Sequence, residues 1–172
     1  MSKARSLVTG AKEGTSMATF NAAGLQLLKT LEGCRFTAYV DQAGIWTIGY
    51  GHTGHEVVPG LAWSQDHADQ ALSADVTQFS EGVQALIKQI LNDNQFSALV
   101  IFAYNIGLAG FSASSALRHV NSGDFASVPP SKLLWDKIHD PNTGQLIVSS
   151  GLLKRRQAEI QLWNTPIDAA VA

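Results

Sequence analysis

Residues 32–53 read EGCRFTAYVDQAGIWTIGYGHT and join a predicted helix to a predicted small sheet. Asn21 can cap a helix that runs to about Glu32, because Leu25, Leu28 and Glu32 recur at spacings of three and four residues on one face. A glycine follows directly, at the position where helices commonly end. The helix is therefore expected to end on a carboxylate that lies on an apolar face.

The segment after this helix has the alternating pattern of short β-strands. Phe36, Ala38 and Val40 alternate with other residues, and glycines separate them from later β-branched positions. This pattern predicts a three-stranded meander in a small lobe over about residues 34–60, with Val57 and Val58 in its last strand.

The remainder of the chain is dominated by helical periodicity. Ser64 can cap a helix over about residues 64–80 that joins the small lobe to a helical lobe over about 92–165. In that lobe the pattern predicts a central helix ending at Gly107, then helices over about 112–121, 130–138 and 149–163, with the turn HDPNTG before the last. The expected fold class is α+β and mostly helical, and residues 1–17 read as a flexible leader.

Composition excludes several classes of function. Of the 172 residues 45% are hydrophobic and 15% charged, and the formal net charge of −2 gives no basic field for nucleic acid. The longest apolar segment, from Phe96, is interrupted by Ser97 and Asn105 and is shorter than the ~18 residues that suggest a membrane span. We read it as a buried core helix, and we expect no stable membrane insertion. Cys34 is the single cysteine, so the chain forms no internal disulfide.

Three polar residues of the opening stretch suit glycoside chemistry. Burial favours the protonated form of a carboxylic acid, so Glu32 is a candidate general acid, whereas Asp41 beside a glycine turn should stay ionised. Two carboxyl groups in unlike environments are what a glycosidase uses, and a Thr47 hydroxyl one strand later can hold a water near Asp41. Each residue also has an ordinary structural interpretation: a helix-end acid paired with an arginine, a turn residue and a strand threonine.

The pattern E-G-x(5)-A-Y-x-D-x-x-G-x-x-T-I-G-Y-G-H-T over residues 32–53 resembles the signature of the phage-type lysozymes, the endolysin muramidases. The segments DNQFSALVIFAYNIG (93–107), SSALRHVNSGDF (114–125) and GLLKRRQAEIQLW (151–163) are similar to later segments of that family. The resemblance implies a lysozyme-like fold with a catalytic domain over residues 18–172.

Within that family, the matching positions imply Glu32 as general acid, Asp41 as the carboxylate that activates or positions water, and Thr47 as its partner. Inversion at the anomeric carbon is also implied, which requires a carboxyl separation of roughly 6.5–9.5 Å. Tyr104 and Asn105 fall where the second lobe of the family lines the sugar cleft. Residue type alone equally favours a structural role, with Tyr104 in the hydrophobic core and Asn105 at a helix end.

Glycine and charged residues are expected to support this site. Gly51 would let the backbone approach substrate. Either Arg155 or Arg156 should point inward and pair with Glu32, and the sequence leaves the choice open. The resemblance suggests that His52 meets Asp75 between the lobes.

No cofactor or metal is expected. The segment HTGH contains two histidines, but it has neither a nearby cysteine nor a third ligand for zinc.

The resemblance implies an endolysin that cleaves the β-1,4 bond between N-acetylmuramic acid and N-acetylglucosamine in bacterial peptidoglycan and thereby lyses the host cell. The protein would be a monomer that accumulates in the host cytoplasm and reaches the periplasmic wall through a holin. Two alternatives stay open: a lytic transglycosylase, which cuts the same bond without water, and a non-catalytic peptidoglycan-binding domain.

Overall fold

The computed structural model describes residues 17–41, 44–140 and 142–167. Its first helix, α1 (Ala22–Glu32), begins at Asn21, whose side chain accepts a hydrogen bond from the backbone N–H of Gly24 at 2.9 Å. The helix therefore has the predicted bounds. Leu28 is completely buried, whereas Leu25 is 38% exposed, so the apolar face that leads to Glu32 is narrower than predicted.

The small sheet consists of β1 (Arg35–Val40), β2 (Trp46–Gly49) and β3 (His52–Thr53), paired antiparallel in that order. Tyr39 pairs with Thr47, and Ile48 pairs with His52. The prediction of a third strand at Val57 and Val58 was wrong. The Val57 N–H bonds to the carbonyl of Gly54, and Val58 accepts from the N–H of Leu61, so both valines belong to tight turns.

Two long helices form the frame of the molecule. Helix α2 (Gln65–Leu86) begins after the Ser64 cap and runs six residues beyond its expected end. Helix α3 (Asp93–Ala113) begins with a capping box of Asn92 and Gln95, and its geometry breaks at Gly107, where φ is +78°. The predicted end at Gly107 therefore corresponds to a kink, which a glycine tolerates because it has no Cβ.

Helix α3 lies at the centre of the hydrophobic core. By length and composition it could cross a membrane, with a mean hydropathy of 1.6. Residues 96–103 are all buried, and α3 packs against α1, α2 and α6. The apolar segment thus forms the core helix that the sequence indicated.

The chain closes with α4 (Ser115–Ser122), a 3₁₀ turn (Phe125–Ser127), α5 (Val128–Leu133), the hairpin β4 (Lys137–His139) and β5 (Leu146–Val148), and α6 (Ser150–Asn164). The prediction of a helix over 130–138 was wrong in its second half. Short β-branched segments on both sides of a turn pair there as a hairpin, and Asp140 accepts bonds from the N–H groups of Asn142 and Thr143. Apart from Met17, the proposed leader lies outside the described residues.

Candidate active site

Glu32 is the last residue of α1, and its carboxylate lies where α1, α3 and α6 meet. Nη2 of Arg155, on α6, is 2.7 Å from Oε1 of Glu32, and the Glu32 side chain is 17% exposed. Arg155 also approaches the carbonyl of Ile101 on α3 at 3.4 Å. Of the two candidate arginines, Arg155 is therefore the partner of Glu32.

The neighbouring arginine has a different partner. Nη2 of Arg156 donates to Oδ1 of Asn105 at 2.5 Å, and Arg156 is completely buried. The predicted cleft amide is thus bound to an arginine. Asn105 does not line the cavity described below.

Asp41 and Thr47 are linked through one residue of the β1–β2 hairpin. The Asp41 carboxylate accepts from the N–H of Ile45 at 2.8 Å, and the Ile45 carbonyl accepts from both the Asp41 N–H and the Thr47 hydroxyl, at 2.9 and 3.1 Å. Asp41 is half-buried and Thr47 is 3% exposed. Because side chains alternate along a strand and Thr47 pairs with Tyr39, Asp41 and Thr47 lie on the same side of the hairpin.

The turn between β2 and β3 lies against Glu32. Gly51 has φ of +89°, and a Cβ added there would lie 3.6 Å from Oε2 of Glu32. Its neighbour Tyr50 accepts a hydrogen bond from the Tyr104 hydroxyl at 3.0 Å. The predicted residues Gly51, Tyr104 and Glu32 are therefore close together.

A cavity of about 340 Å³ opens beside this turn. Its lining includes four of the residues that the sequence singled out: Gly51, His52, Asp75 and Tyr104. Burial, followed by the charges of Asp75 and Glu32, raises the pKa of the Tyr104 phenol, so this hydroxyl stays protonated and keeps its hydrogen bond to the Tyr50 carbonyl.

His52 connects the sheet to α2 through both ring nitrogens. Nδ1 lies 2.8 Å from Oδ2 of Asp75, and Nε2 lies 2.7 Å from Oε1 of Glu56. The predicted contact with Asp75 is thus present, and the contact with Glu56 is additional. Burial lowers the pKa of His52, but the hydrogen bonds to Glu56 and Asp75 raise it by more, so it lies above the usual value of 6.5.

Sequence reasoning missed two residues that organise the interior of the site, Lys132 and Glu159. Both are completely buried, and Glu159 contacts Arg155, Arg156 and Lys132. Glu159 follows the two arginines at helical spacings of three and four residues, so that spacing was an available signal. No sequence signal indicated the burial of Lys132, because a lysine in a segment such as PPSKLLW is normally expected to be exposed to solvent.

Comparison with known proteins agrees with this geometry. The profile of the phage lysozyme family matches residues 29–159, which is most of the chain. The chain belongs to the phage lysozyme family, a family of glycoside hydrolases.

Relatives and solved structures support this assignment. The chain is 37% identical to the endolysin of Acyrthosiphon pisum secondary endosymbiont phage 1, covering 83% of this chain and 95% of that protein. It is 40% identical to the endolysin of Bacillus phage B103, again over 83% of this chain, but it spans only 53% of that protein. Among solved structures, the muramidase domain of SpmX from Asticaccaulis excentricus is 36% identical with a TM-score of 0.81, covering 87% of this chain and 99% of that domain.

The solved P22 lysozyme is 32% identical with a TM-score of 0.72, covering 87% of this chain and 100% of its own. The lysozyme-like fold predicted from the sequence is therefore confirmed.

Proposed function

We propose that this protein hydrolyses the β-1,4 bond between N-acetylmuramic acid and N-acetylglucosamine in bacterial peptidoglycan, and that it serves in lysis of the host cell. The observation that carries the proposal is the position of the Glu32 carboxylate. It is held by Arg155 from one side and lies beside the backbone of Gly51, next to a cavity. The names of the related endolysins and of the muramidase domain support the same substrate.

In this mechanism Glu32 donates a proton to the leaving sugar oxygen while the glycosidic bond breaks. Asp41, with a carboxylate kept in place by the Ile45 N–H, orients a water for attack on the opposite side of the sugar ring. Thr47 contributes a hydroxyl from the same side of the hairpin. Direct attack by water inverts the anomeric carbon and needs no cofactor.

Membership of the family supports a wider assignment, which is part of the same proposal. The enzyme acts as a monomer, accumulates in the host cytoplasm and reaches the periplasmic peptidoglycan once a holin has opened the membrane. These steps concern the whole lytic protein, and this chain spans about half the length of the Bacillus phage B103 endolysin.

The test is the identity of the products. Purified peptidoglycan is digested in H₂¹⁸O, the fragments are analysed by mass spectrometry, and the first-formed anomer is followed by NMR. The expected products are ¹⁸O-labelled reducing muramic acid ends that appear first as the α-anomer.

Two results would contradict the proposal. Anhydro-muramic acid ends would identify a lytic transglycosylase. Binding of peptidoglycan with no product would identify a non-catalytic binding domain.

A further inference from the structure

Four buried charged side chains lie behind the proposed catalytic acid, Glu32, and form a cluster of five with it. Lys132 comes from α5, Arg155, Arg156 and Glu159 come from α6, and Glu32 comes from α1. With Glu32 ionised, their formal charges sum to +1. Burial of so many charges is costly unless each has a partner, so the arrangement of partners matters.

Glu159 is the centre of the cluster. Its Oε1 lies 2.9 Å from Nη2 of Arg156 and 3.3 Å from Nε of Arg155, while its Oε2 lies 3.0 Å from Nζ of Lys132. The contact given for Lys132 is with Oε2, whereas the contacts given for both arginines are with Oε1. One oxygen of Glu159 thus serves the two arginines and the other serves the lysine.

The Lys132 ammonium is held in this buried position by three contacts. Its ammonium donates to the carbonyl of Ala98 at 3.0 Å and lies 5.2 Å from the centroid of the Phe102 ring, in addition to its contact with Glu159. The contact with Oε2 of Glu159 is an ion pair and not a well-aligned hydrogen bond, since Oε2 has no hydrogen-bond partner among the described residues. Burial lowers the pKa of Lys132 to about 8, and Glu159 opposes this effect, so the ammonium is charged at neutral pH.

We propose that Lys132 is a positioning residue for the catalytic acid: by occupying Oε2 of Glu159, it leaves the Nη2 atom of Arg155 directed at Glu32. This inference rests on the proposed function of Glu32. Without Lys132, the buried Glu159 carboxylate would depend on the two arginines for its charge pairing. Arg156 already lies 2.9 Å from Oε1, and Arg155, at 3.3 Å, bridges Glu159 and Glu32, so Arg155 is the arginine whose shift toward Glu159 would withdraw Nη2 from Glu32. Glu32 would then lose the contact that fixes its orientation.

The same change alters the charge that Glu32 experiences. Glu32 is faced by Arg155 from α6 and by the Tyr104 phenol from α3, and the charges of Lys132, Arg156 and Glu159 lie behind Arg155. Removal of the Lys132 charge takes the cluster from +1 to neutral with Glu32 ionised, which favours protonated Glu32. Since a general acid works in its protonated form, activity should persist to higher pH.

The experiment compares Lys132→Met, the double variant Lys132→Met/Glu159→Gln and the wild-type protein. In Lys132→Met we expect the alkaline limb of the kcat/KM profile to move up by about 0.5–1 pH unit, and kcat to fall roughly tenfold with KM unchanged. In the double variant no carboxylate competes for Arg155 and the cluster again sums to +1. Its alkaline limb and kcat should therefore return toward wild type.

Lys137→Met, at an exposed lysine of β4, is the matched control and should leave the profile unchanged. A folded Lys132→Met with wild-type limb and kcat would overturn the proposal. So would a double variant that keeps the shifted limb, because the effect would then not pass through Glu159. If Lys132→Met does not fold, Lys132→Gln, which retains an N–H donor, is tested alone and with Glu159→Gln against the same two criteria.

A second measurement separates this proposal from the proposed function. The Glu32 side-chain carboxyl is labelled with ¹³C and titrated by NMR in each variant, which requires no activity. Wild-type protein without hydrolytic activity would refute the proposed function. A Glu32 titration that moves to higher pH in Lys132→Met and returns in the double variant supports the positioning role, and a titration that does not move refutes it.

Discussion

Nη2 of Arg155 lies 2.7 Å from Oε1 of Glu32, although 123 residues separate the two in the chain. The next residue, Arg156, contacts Asn105 instead. The two adjacent arginines of α6 share Glu159 and differ in their second partner, which is the proposed acid for Arg155 and the Asn105 amide of α3 for Arg156. The pairing matters for catalysis because a guanidinium fixes the orientation of a carboxylate and also favours its ionised form.

Arg155→Met should slow the reaction and change its pH dependence. Without the guanidinium the protonated form of Glu32 is favoured, so the alkaline limb of the pH–rate profile should move to higher pH while kcat falls roughly tenfold or more. Lys154→Met, at an exposed position of the same helix, is the control. If Arg155→Met had the same alkaline limb of the pH–rate profile as wild type, the contact between Arg155 and Glu32 would have no influence on the acid.

Thr47→Val removes a hydroxyl while keeping the shape of the side chain. If this hydroxyl positions water near Asp41, kcat should fall at least about tenfold, and Thr47→Ser should retain most of it. The valine variant also loses the hydrogen bond to the Ile45 carbonyl, which lowers the free energy of unfolding by roughly 1 kcal/mol. Circular dichroism of both variants therefore checks that they are folded. Equal activity of the valine and serine variants would remove Thr47 from the mechanism.

Gly51→Ala tests the close approach of the β2–β3 turn to Glu32. The positive φ of +89° should cost about 1–2 kcal/mol in the free energy of unfolding, and the new methyl group would lie against the carboxylate. Gly60 has φ of +82° with open space around it, so Gly60→Ala should show a similar loss of stability. We expect kcat/KM to fall only in Gly51→Ala. Equal activity of the two variants would show that the approach of Gly51 to Glu32 does not matter for catalysis.

The pH dependence of stability tests the double contact of His52. Its pKa in the folded protein is raised, so its contribution to stability is complete below the unfolded value of about 6.5 and is lost as the pH rises through the folded pKa. The melting temperature should therefore fall above pH 6.5 by a few degrees more in wild type than in His52→Asn. His119→Asn, at a half-buried histidine paired with Asp124 alone among the described residues, is the comparison variant. Parallel pH curves for wild type and His52→Asn would contradict the assignment.

Local sequence signals predicted much of the fold. Asn21 and Ser64 start their helices as expected, because their side chains accept hydrogen bonds from first-turn N–H groups that have no helical carbonyl to donate to. Gly107 breaks α3 where predicted. The errors lay in short segments of ambiguous pattern: Val57 and Val58 occupy turns, and the segment from Lys137 onward pairs as a hairpin. Apolar residues two or three at a time do not distinguish a strand from a turn or a helix.

Contacts between distant segments could only be predicted in part. Residue type indicated that an arginine should meet Glu32, but helical periodicity cannot separate adjacent residues such as Arg155 and Arg156, which differ by 100° around α6. The burial of Lys132 was not predictable, because a lysine is buried only where the fold supplies partners, and Glu159 and Ala98 come from two other helices.

The most direct test of the account is Glu32→Gln, assayed by release of reducing ends from purified peptidoglycan and compared with Glu81→Gln, at an exposed glutamate of α2. The account predicts that Glu32→Gln folds normally and loses about 100-fold or more of its activity, because an amide N–H is not acidic enough to protonate the leaving oxygen, while Glu81→Gln keeps wild-type activity. Wild-type activity in a folded Glu32→Gln would contradict it.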